Sequence, residues 1–445
     1  MTSPLAAVFV GSDTLLMQCL ATWQERGHRV AAVVTDADKV RRFCVEQGWR
    51  HLDAGSDWVG ALAGEAIDHL FAITWLRLLP AAALALPKRG AINFHDGPLP
   101  RYAGLNATCW AILHGENEHG ITWHEMEVGA DKGAILLQRR FAIGPDDTAF
   151  TLNARCFQAG LQSFGELADQ LAAGTVQRRE QDKAQRTWFG KTARPEALAV
   201  LDFTQPAAVV ARTVRAFDHA GYRNPLAIAK VRATGGVFVP GGVEVVAGSG
   251  QAPATVVEVG PDFVVIACGD GDVRLLHPRC LRGSPLGGQA LAALGVRPGT
   301  VLPRLDATER AALTGLGNAA ARGEDDHVAT LRGQQPLPVP GGGPGDERVE
   351  PAELTVDLAL VPADRRAATC LAFLARHEAR AEFTVGVAGG GSGNAERLSD
   401  LAVPSPPVTF ACDPAQPVEG AIARLADQLQ RALARGPLLR ELVVR

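Results

Sequence analysis

Residues 91–106 read AINFHDGPLPRYAGLN. A short apolar run carries Asn93 and His95 two positions apart, then breaks into a turn-forming segment of glycines, prolines and Arg101. In a strand, residues i and i+2 share a face, so Asn93 and His95 project together while Ile92 and Phe94 turn to the packed side. Ligands of open α/β sheets bind beyond the carboxyl ends of the strands, where this pair is expected to sit. An Asn amide is a neutral donor suited to a developing oxyanion. An imidazole beside it moves protons near neutral pH. Together they fit attack on a carbonyl.

Outward from this stretch, strand-like and helix-like runs alternate. LAAVFV (5–10), VAAVV (30–34) and HLFAIT (69–74) read as buried strands, as does AINF. TLLMQCLATWQERG (14–27) reads as a helix, ILLQRRFAI (135–143) as a further strand and 148–173 as a long closing helix. This rhythm predicts a Rossmann-like, doubly wound parallel sheet covered on both faces. The first strand-to-helix turn, VGSDTLLM (10–17), holds only Gly11 where a dinucleotide fold needs G-x-G-x-x-G, so no NAD site is expected despite Asp36.

Asn-x-His alone occurs by chance in many chains, and a strand-end His is as readily structural. A second segment, GITWHEMEVGADKGAILL (120–137), raises it above that. Its Gly129 and Gly133 bracket a turn, from which Asp131 reaches His95. There it sets the tautomer and stabilises the imidazolium, or takes the proton itself. His124, on the strand leading to Asp131, either lines an acceptor pocket or is a satisfied core histidine. Asp96 also has two readings. With strand alternation kept, it points away and forms a turn with Gly97, the favoured reading. If the turn curls back, it adds a second carboxylate beside the imidazole.

Composition bounds the rest. The chain has 445 residues, 47% hydrophobic and 21% charged, with a formal net charge of −4. Such a chain forms two or three globular domains and lacks the cationic excess that nucleic acids demand. No signal peptide or membrane-spanning run is evident. Eight scattered cysteines without a CxxC pair imply reduced thiols in a cytoplasmic protein, with neither a metal site nor a disulfide framework.

Three sections are expected: 1–190, 191–304 and 305–445. The second begins with a helix over 207–217, then GVEVVA (242–247), ATVVEV (254–259), DFVVIAC (262–268) and DVRLL (272–276), short strands that suggest a small barrel. The third holds a helix over 307–322 and the Pro/Gly-rich connector 334–351. A strand TVDLALVP follows, then a helix over 420–436 with the stripe Ile422, Leu425, Leu429, Leu433. VAGGGSGNA (387–395) lacks a Gly-Lys-Ser/Thr ending and reads as a loop. The ending GPLLRELVVR carries no polar tail, which suggests a piece of a longer polypeptide.

The set N-F-H (93–95), L-P-R-Y-A-G (99–104) and D-K-G (131–133), with the interval between His95 and Asp131, resembles the folate-dependent formyltransferase family. LDFTQPAAVVARTVRAFDHAGYRNPLAIAK (201–230) with the strands after it is similar to that family's C-terminal, open-barrel (OB-like) domain. The resemblance implies 10-formyltetrahydrofolate as formyl donor, held by Leu76, Arg77, Leu78 and Leu79 and by Val128, Gly129 and Ala130, with an amine as acceptor. It implies Asn93 as oxyanion donor, His95 as general base or intermediate stabiliser, and Asp131 as the group that tunes His95 and helps remove the amine proton. Asp96-Gly97 departs from the Pro-Ser that many members carry.

The wording HDGPLPRYAGLNATCWAILHGENEHGITWH looks like the members fused to nonribosomal peptide synthetases. Their acceptor is an aminoacyl group on the phosphopantetheine arm of a peptidyl carrier protein, beside adjacent synthetase domains. On that reading Arg101 anchors a folate tail or a pantetheine phosphate, or is simply a solvated loop arginine. The third section resembles pieces of an α+β condensation-type domain without the HHxxxDG motif, so a remnant or docking platform is expected. The alternatives are a formyl-folate hydrolase, a formyltransferase for a sugar or small-molecule amine, and an inactive docking scaffold.

Overall fold

The computed structural model describes residues 4–333, 361–377, 379–387, 401–443 and 445. Its centre is a seven-stranded sheet: β1 (Ala6–Gly11), β2 (Arg29–Thr35), β3 (His51–Asp53), β4 (His69–Ile73), β5 (Ala91–His95), β6 (Glu118–Glu125) and β7 (Ile135–Ala142), in the order β3-β2-β1-β4-β5-β6-β7. β1 is apolar throughout, β4 is apolar after His69, and both are buried at every residue, as strands covered on both faces must be. One face packs Phe9, Phe71, Ile92, Phe94 and Trp123 beneath α1 (Thr14–Glu25), α2 (Asp38–Gln47) and α4 (Ala149–Ala173). The other packs Val8, Val10, Leu70 and Ala91 against Trp58 and Leu62. Each large apolar side chain so buried contributes roughly 1.5–3 kcal/mol.

The all-parallel expectation needs correction. The strands from β3 to β5 pair parallel, but β5 with β6 and β6 with β7 pair antiparallel. The link from Glu125 to Ile135 is a hairpin loop, too short for the crossover that parallel neighbours require. That loop carries Asp131.

Helix α4 closes this layer because both its ends are chemically marked. At its start Thr148 and Thr151 form a reciprocal capping box, with bonds of 2.9 and 3.2 Å. At its end Gly174 takes φ 66°, the left-handed cap that glycine adopts without strain.

The second section sets helix α5 (Ala207–Ala216) against a four-stranded antiparallel sheet in the order Gly242–Val246, Asp272–Leu276, Phe263–Ala267, Val256–Val259. A separate hairpin pairs Val231–Ala233 with Gly236–Phe238. Its core is continuous with α3 (Ala107–Leu113): Cys109, Trp110 and Ile112 share one cluster with Val210, Val214, Val264 and Ile266.

In the third section the helix expected over 307–322 runs on as α6 (Ala307–Arg332). The continuation RGEDDHVATLR is charged, yet Glu324 and His327 are buried in it, which is why its polarity misled. Helices α7 (Arg366–His377) and α8 (Val418–Ala434) pack on a two-stranded antiparallel sheet, Glu382–Gly386 with Pro407–Ala411. In the α8 stripe Leu425 is buried, Ile422 and Leu429 are partly so, and Leu433 faces solvent. The connector 334–351 and the strand body at 355–360 lie outside the described residues, as does nearly all of 387–395.

Candidate active site

The register of β5 on β6 builds the site. Asn93 lies directly across from His124, and His95 from Thr122, while Phe94 pairs with Trp123 on the core face, ring centroids 5.1 Å apart. The alternation predicted from the sequence therefore holds. Four polar side chains share one face at the strand junction.

His95 is buried, and its Nε2 donates to the Tyr102 carbonyl at 2.8 Å. That bond fixes the tautomer and leaves Nδ1 as the working nitrogen. Nδ1 faces two carboxylates, Asp131 Oδ2 at 3.9 Å and Asp96 Oδ1 at 3.8 Å. The reading in which Asp96 points away is thus corrected: the turn curls back, with its carbonyl held by His119 Nε2 at 2.8 Å. Gly97 makes this possible, since a Cβ there would sit 2.7 Å from His95 Nε2 and 3.0 Å from the Tyr102 oxygen.

Asp131 lies at the tip of the hairpin loop with φ 52°, a left-handed conformation that Asp tolerates better than most residues. Its Oδ2 accepts the Gly104 N–H at 2.8 Å and its Oδ1 stands 3.4 Å from His124 Nε2. Burial opposes its ionisation, but the imidazoles of His95 and His124 and the Gly104 N–H outweigh that. The carboxyl is held well below the usual carboxylate range.

His124 is more central than a pocket-lining residue. Its Nδ1 donates to the Glu125 carbonyl at 2.7 Å, so Nε2 faces both Asn93 Nδ2 at 3.1 Å and Asp131 Oδ1 at 3.4 Å. Without a proton this nitrogen accepts from Asn93; with one it turns toward Asp131.

Loops on either side of the strand end carry large apolar side chains to the surface. Leu76, Leu78 and Val128 are 78%, 73% and 80% exposed. Leu79 and Met126 anchor these loops on one core cluster, and Gly129 turns the second with φ 108°. Arg77 pairs with Asp36 and lies 3.9 Å from the Trp75 ring centroid. Arg101 is paired with Glu116 and lies over the Tyr102 ring, 5.4 Å from its centroid.

Sequence reading missed two supports. Thr122 Oγ1 donates to the Gly97 carbonyl at 2.8 Å and accepts the Leu99 N–H at 3.1 Å, which pins the loop after His95. His119 is fully buried, and desolvation pushes its imidazole down to about 4, so it stays neutral while holding Asp96. A polar residue at alternate positions of an apolar strand was the available signal for Thr122. Among the described residues no cluster of His, Cys, Asp and Glu is placed to hold a metal ion, and no helix is long and apolar enough to cross a membrane.

An amide, two imidazoles and a carboxylate at the carboxyl end of a Rossmann-like sheet are the parts of a group-transfer enzyme working on a carbonyl. Two family models match in succession, Formyl transferase over residues 6–166 and Formyl transferase, C-terminal domain over 196–293. Methionyl-tRNA formyltransferases of Burkholderia pseudomallei (strain 1106a) and Burkholderia ambifaria (strain MC40-6) are each 33% identical, over 301 and 304 residues, 62% of this chain and 90% of theirs. Two solved structures share the fold with TM-scores of 0.51 at 16% identity. One is WlaRD, a sugar 3N-formyl transferase; the other is the N-formyltransferase of Helicobacter canadensis. The match spans 62% of this chain and 98% and 100% of theirs, respectively. The chain belongs to the folate-dependent formyltransferase family.

Proposed function

We propose that this protein transfers a formyl group from 10-formyltetrahydrofolate to the amine of an aminoacyl group on a peptidyl carrier protein. The observation that carries the transfer chemistry is the convergence of Asn93, His95 and Asp131, with His124 between the first and the last.

The exposed Leu76, Leu78 and Val128 fit the ring faces of a folate, and Arg77, Leu79, Gly129 and Ala130 shape the loops that present them. Bound there, the co-substrate supplies the formyl group. Asn93 Nδ2 offers a neutral N–H to the oxygen that gains charge as the amine adds. His95 Nδ1 is free to take or return a proton beside that oxygen. Asp131, ionised and backed by Gly104 N–H, takes the proton from the amine nitrogen once that nitrogen has added. A proton returned through His95 Nδ1 lets tetrahydrofolate leave as its bond to the formyl carbon breaks.

Three observations support the carrier-bound acceptor. The 33% identical relatives carry names that specify an aminoacyl group on a macromolecular carrier. The net charge of −4 is a poor match to a polyanionic one. Helix α6 and the segment around Glu441, in the section read as a condensation-type remnant, pack against the second section, itself read as an open OB-like barrel. The buried ion pairs Arg194–Glu324 and Lys230–Glu441 join the two and add surface beside the enzyme.

The test is mass spectrometry of an aminoacylated carrier protein incubated with the enzyme and formyl donor. A gain of one formyl mass on the amino group is expected. Tetrahydrofolate release without any amine present identifies a hydrolase instead, and formylation of a sugar amine with the carrier left untouched reassigns the acceptor.

A further inference from the structure

The backbone of Asp131 is itself held. Its carbonyl accepts from Arg186 Nη1 at 2.8 Å and from Gln181 Nε2 at 3.1 Å. Arg186 Nη2 reaches the preceding carbonyl, Ala130, at 3.0 Å, and Gln181 Nε2 reaches that of Gly133 at 2.7 Å. One planar guanidinium therefore bridges two consecutive carbonyls, a fork that fixes orientation where a single donor would not. The guanidinium in turn lies over the Trp188 ring, 5.3 Å from its centroid.

The residues that follow hold the opposite loop. Thr187 Oγ1 accepts the Tyr102 N–H at 2.7 Å, and the carbonyls of Thr187 and Phe189 accept from Ala103 at 3.1 Å and Leu105 at 2.8 Å. Between those two amides lies Gly104, whose N–H goes instead to the Asp131 carboxylate. Segment 181–189 thus fastens both the loop bearing the carboxylate and the loop that donates to it. It lies between the spans matched by the two family models.

We propose that Arg186, assisted by Gln181, is a positioning residue for the reaction. It locks Asp131 in its left-handed conformation, so that the carboxylate faces His95 and His124 instead of solvent. This rests on Asp131 handling the amine proton, and the experiment separates the two claims.

Arg186→Ala, Arg186→Lys, Gln181→Leu and Asp131→Asn are compared by steady-state kinetics and by hydrogen exchange at the Gly104 amide. For Arg186→Ala, kcat is expected to fall about tenfold or more, with KM for the formyl donor within about twofold. Gly104 exchange should accelerate as its acceptor moves away. Arg186→Lys should recover part of both, since an ammonium reaches one of the two carbonyls.

Wild-type kcat and Gly104 protection in Arg186→Ala overturn the clamp. So does a loss of kcat with Gly104 protection intact. If Arg186→Ala does not fold, Gln181→Leu carries the same two readouts with the same consequences. Full turnover in Asp131→Asn removes the proton role itself, whereas an inactive Asp131→Asn beside an unaffected Arg186→Ala removes only the clamp.

Discussion

Around Asp131 the nearest imidazole nitrogens stand 3.4 and 3.9 Å away, and His95 Nδ1 is beyond hydrogen-bonding distance of both carboxylates that face it. At the junction of the second and third sections the spacing is tighter. Arg194 and Arg445 meet Glu324 Oε2 at 2.8 and 2.7 Å, and Lys230 is paired with Glu441 while donating to the Leu198 and Ile228 carbonyls at 2.5 and 2.8 Å. Both clusters are buried and both mix signs. The difference lies in how closely opposite charges meet. At the junction each charge has an opposite partner in direct contact, although Arg194 Nε, Arg445 Nε and Glu441 Oε1 make no hydrogen bond among the described residues. At Asp131 the facing imidazole nitrogens stand further off and leave room for a reacting atom. Desolvation makes the first kind costly unless every partner is present. It makes the second kind responsive to whatever enters.

The sharpest way to break this contrast is Asp131→Asn, which keeps the shape and removes the charge. Turnover should drop by about 10²–10⁴, with the thermal midpoint little changed; a variant that melts early but turns over normally would put Asp131 in the other class. Glu441→Ala should do the reverse. It strands buried Lys230 and is expected to cost about 3–5 kcal/mol in denaturant unfolding, while activity per folded molecule stays at the wild-type level. Replacing the pair together, Lys230→Met with Glu441→Leu, should restore most of that loss.

His119 sharpens the comparison through pH. Its imidazole is neutral in the fold with a value of about 4, against about 6.5 in the unfolded chain. The unfolded state therefore binds the extra proton first, and stability falls as pH drops from about 6.5 to 4, by about 2–3 kcal/mol from this group. In His119→Gln that slope should flatten; an unchanged pH profile of unfolding would show that another group is responsible. Leu78→Asp is expected to have the smallest effect, a rise of about five- to twentyfold in KM for the formyl donor without change in kcat.

Much of the sheet was legible because β1, β4 and β5 are apolar runs bounded by turn residues, and because period-two alternation places Asn93 with His95. The antiparallel turn of β6 was not. Its sequence, EHGITWHE, marks a strand but carries no sign of direction, which is settled only by pairing. Asp131 could be picked out by its bracketing glycines. The promotion of His124 needed the register, since only the pairing with Asn93 shows that one nitrogen serves both neighbours. Asp96 was misjudged for a related reason: strand alternation was carried one residue too far, into a turn whose course Gly97 decides. The reach of α6 past residue 322 was hidden because its buried Glu324 finds its partners at Arg194 and Arg445, far away in the chain.

Helix α6, 26 residues long, also limits how this region can drift. Each residue advances a helix by about 100° and 1.5 Å. One residue inserted between Leu313, which packs near Leu198, and Glu324 would swing that carboxylate a quarter-turn off both arginines. Seven would return it to the same side but carry it about 10 Å beyond them. Length variation here should therefore collect in the ends and connectors of the third section, leaving this span fixed in register like a ruled edge.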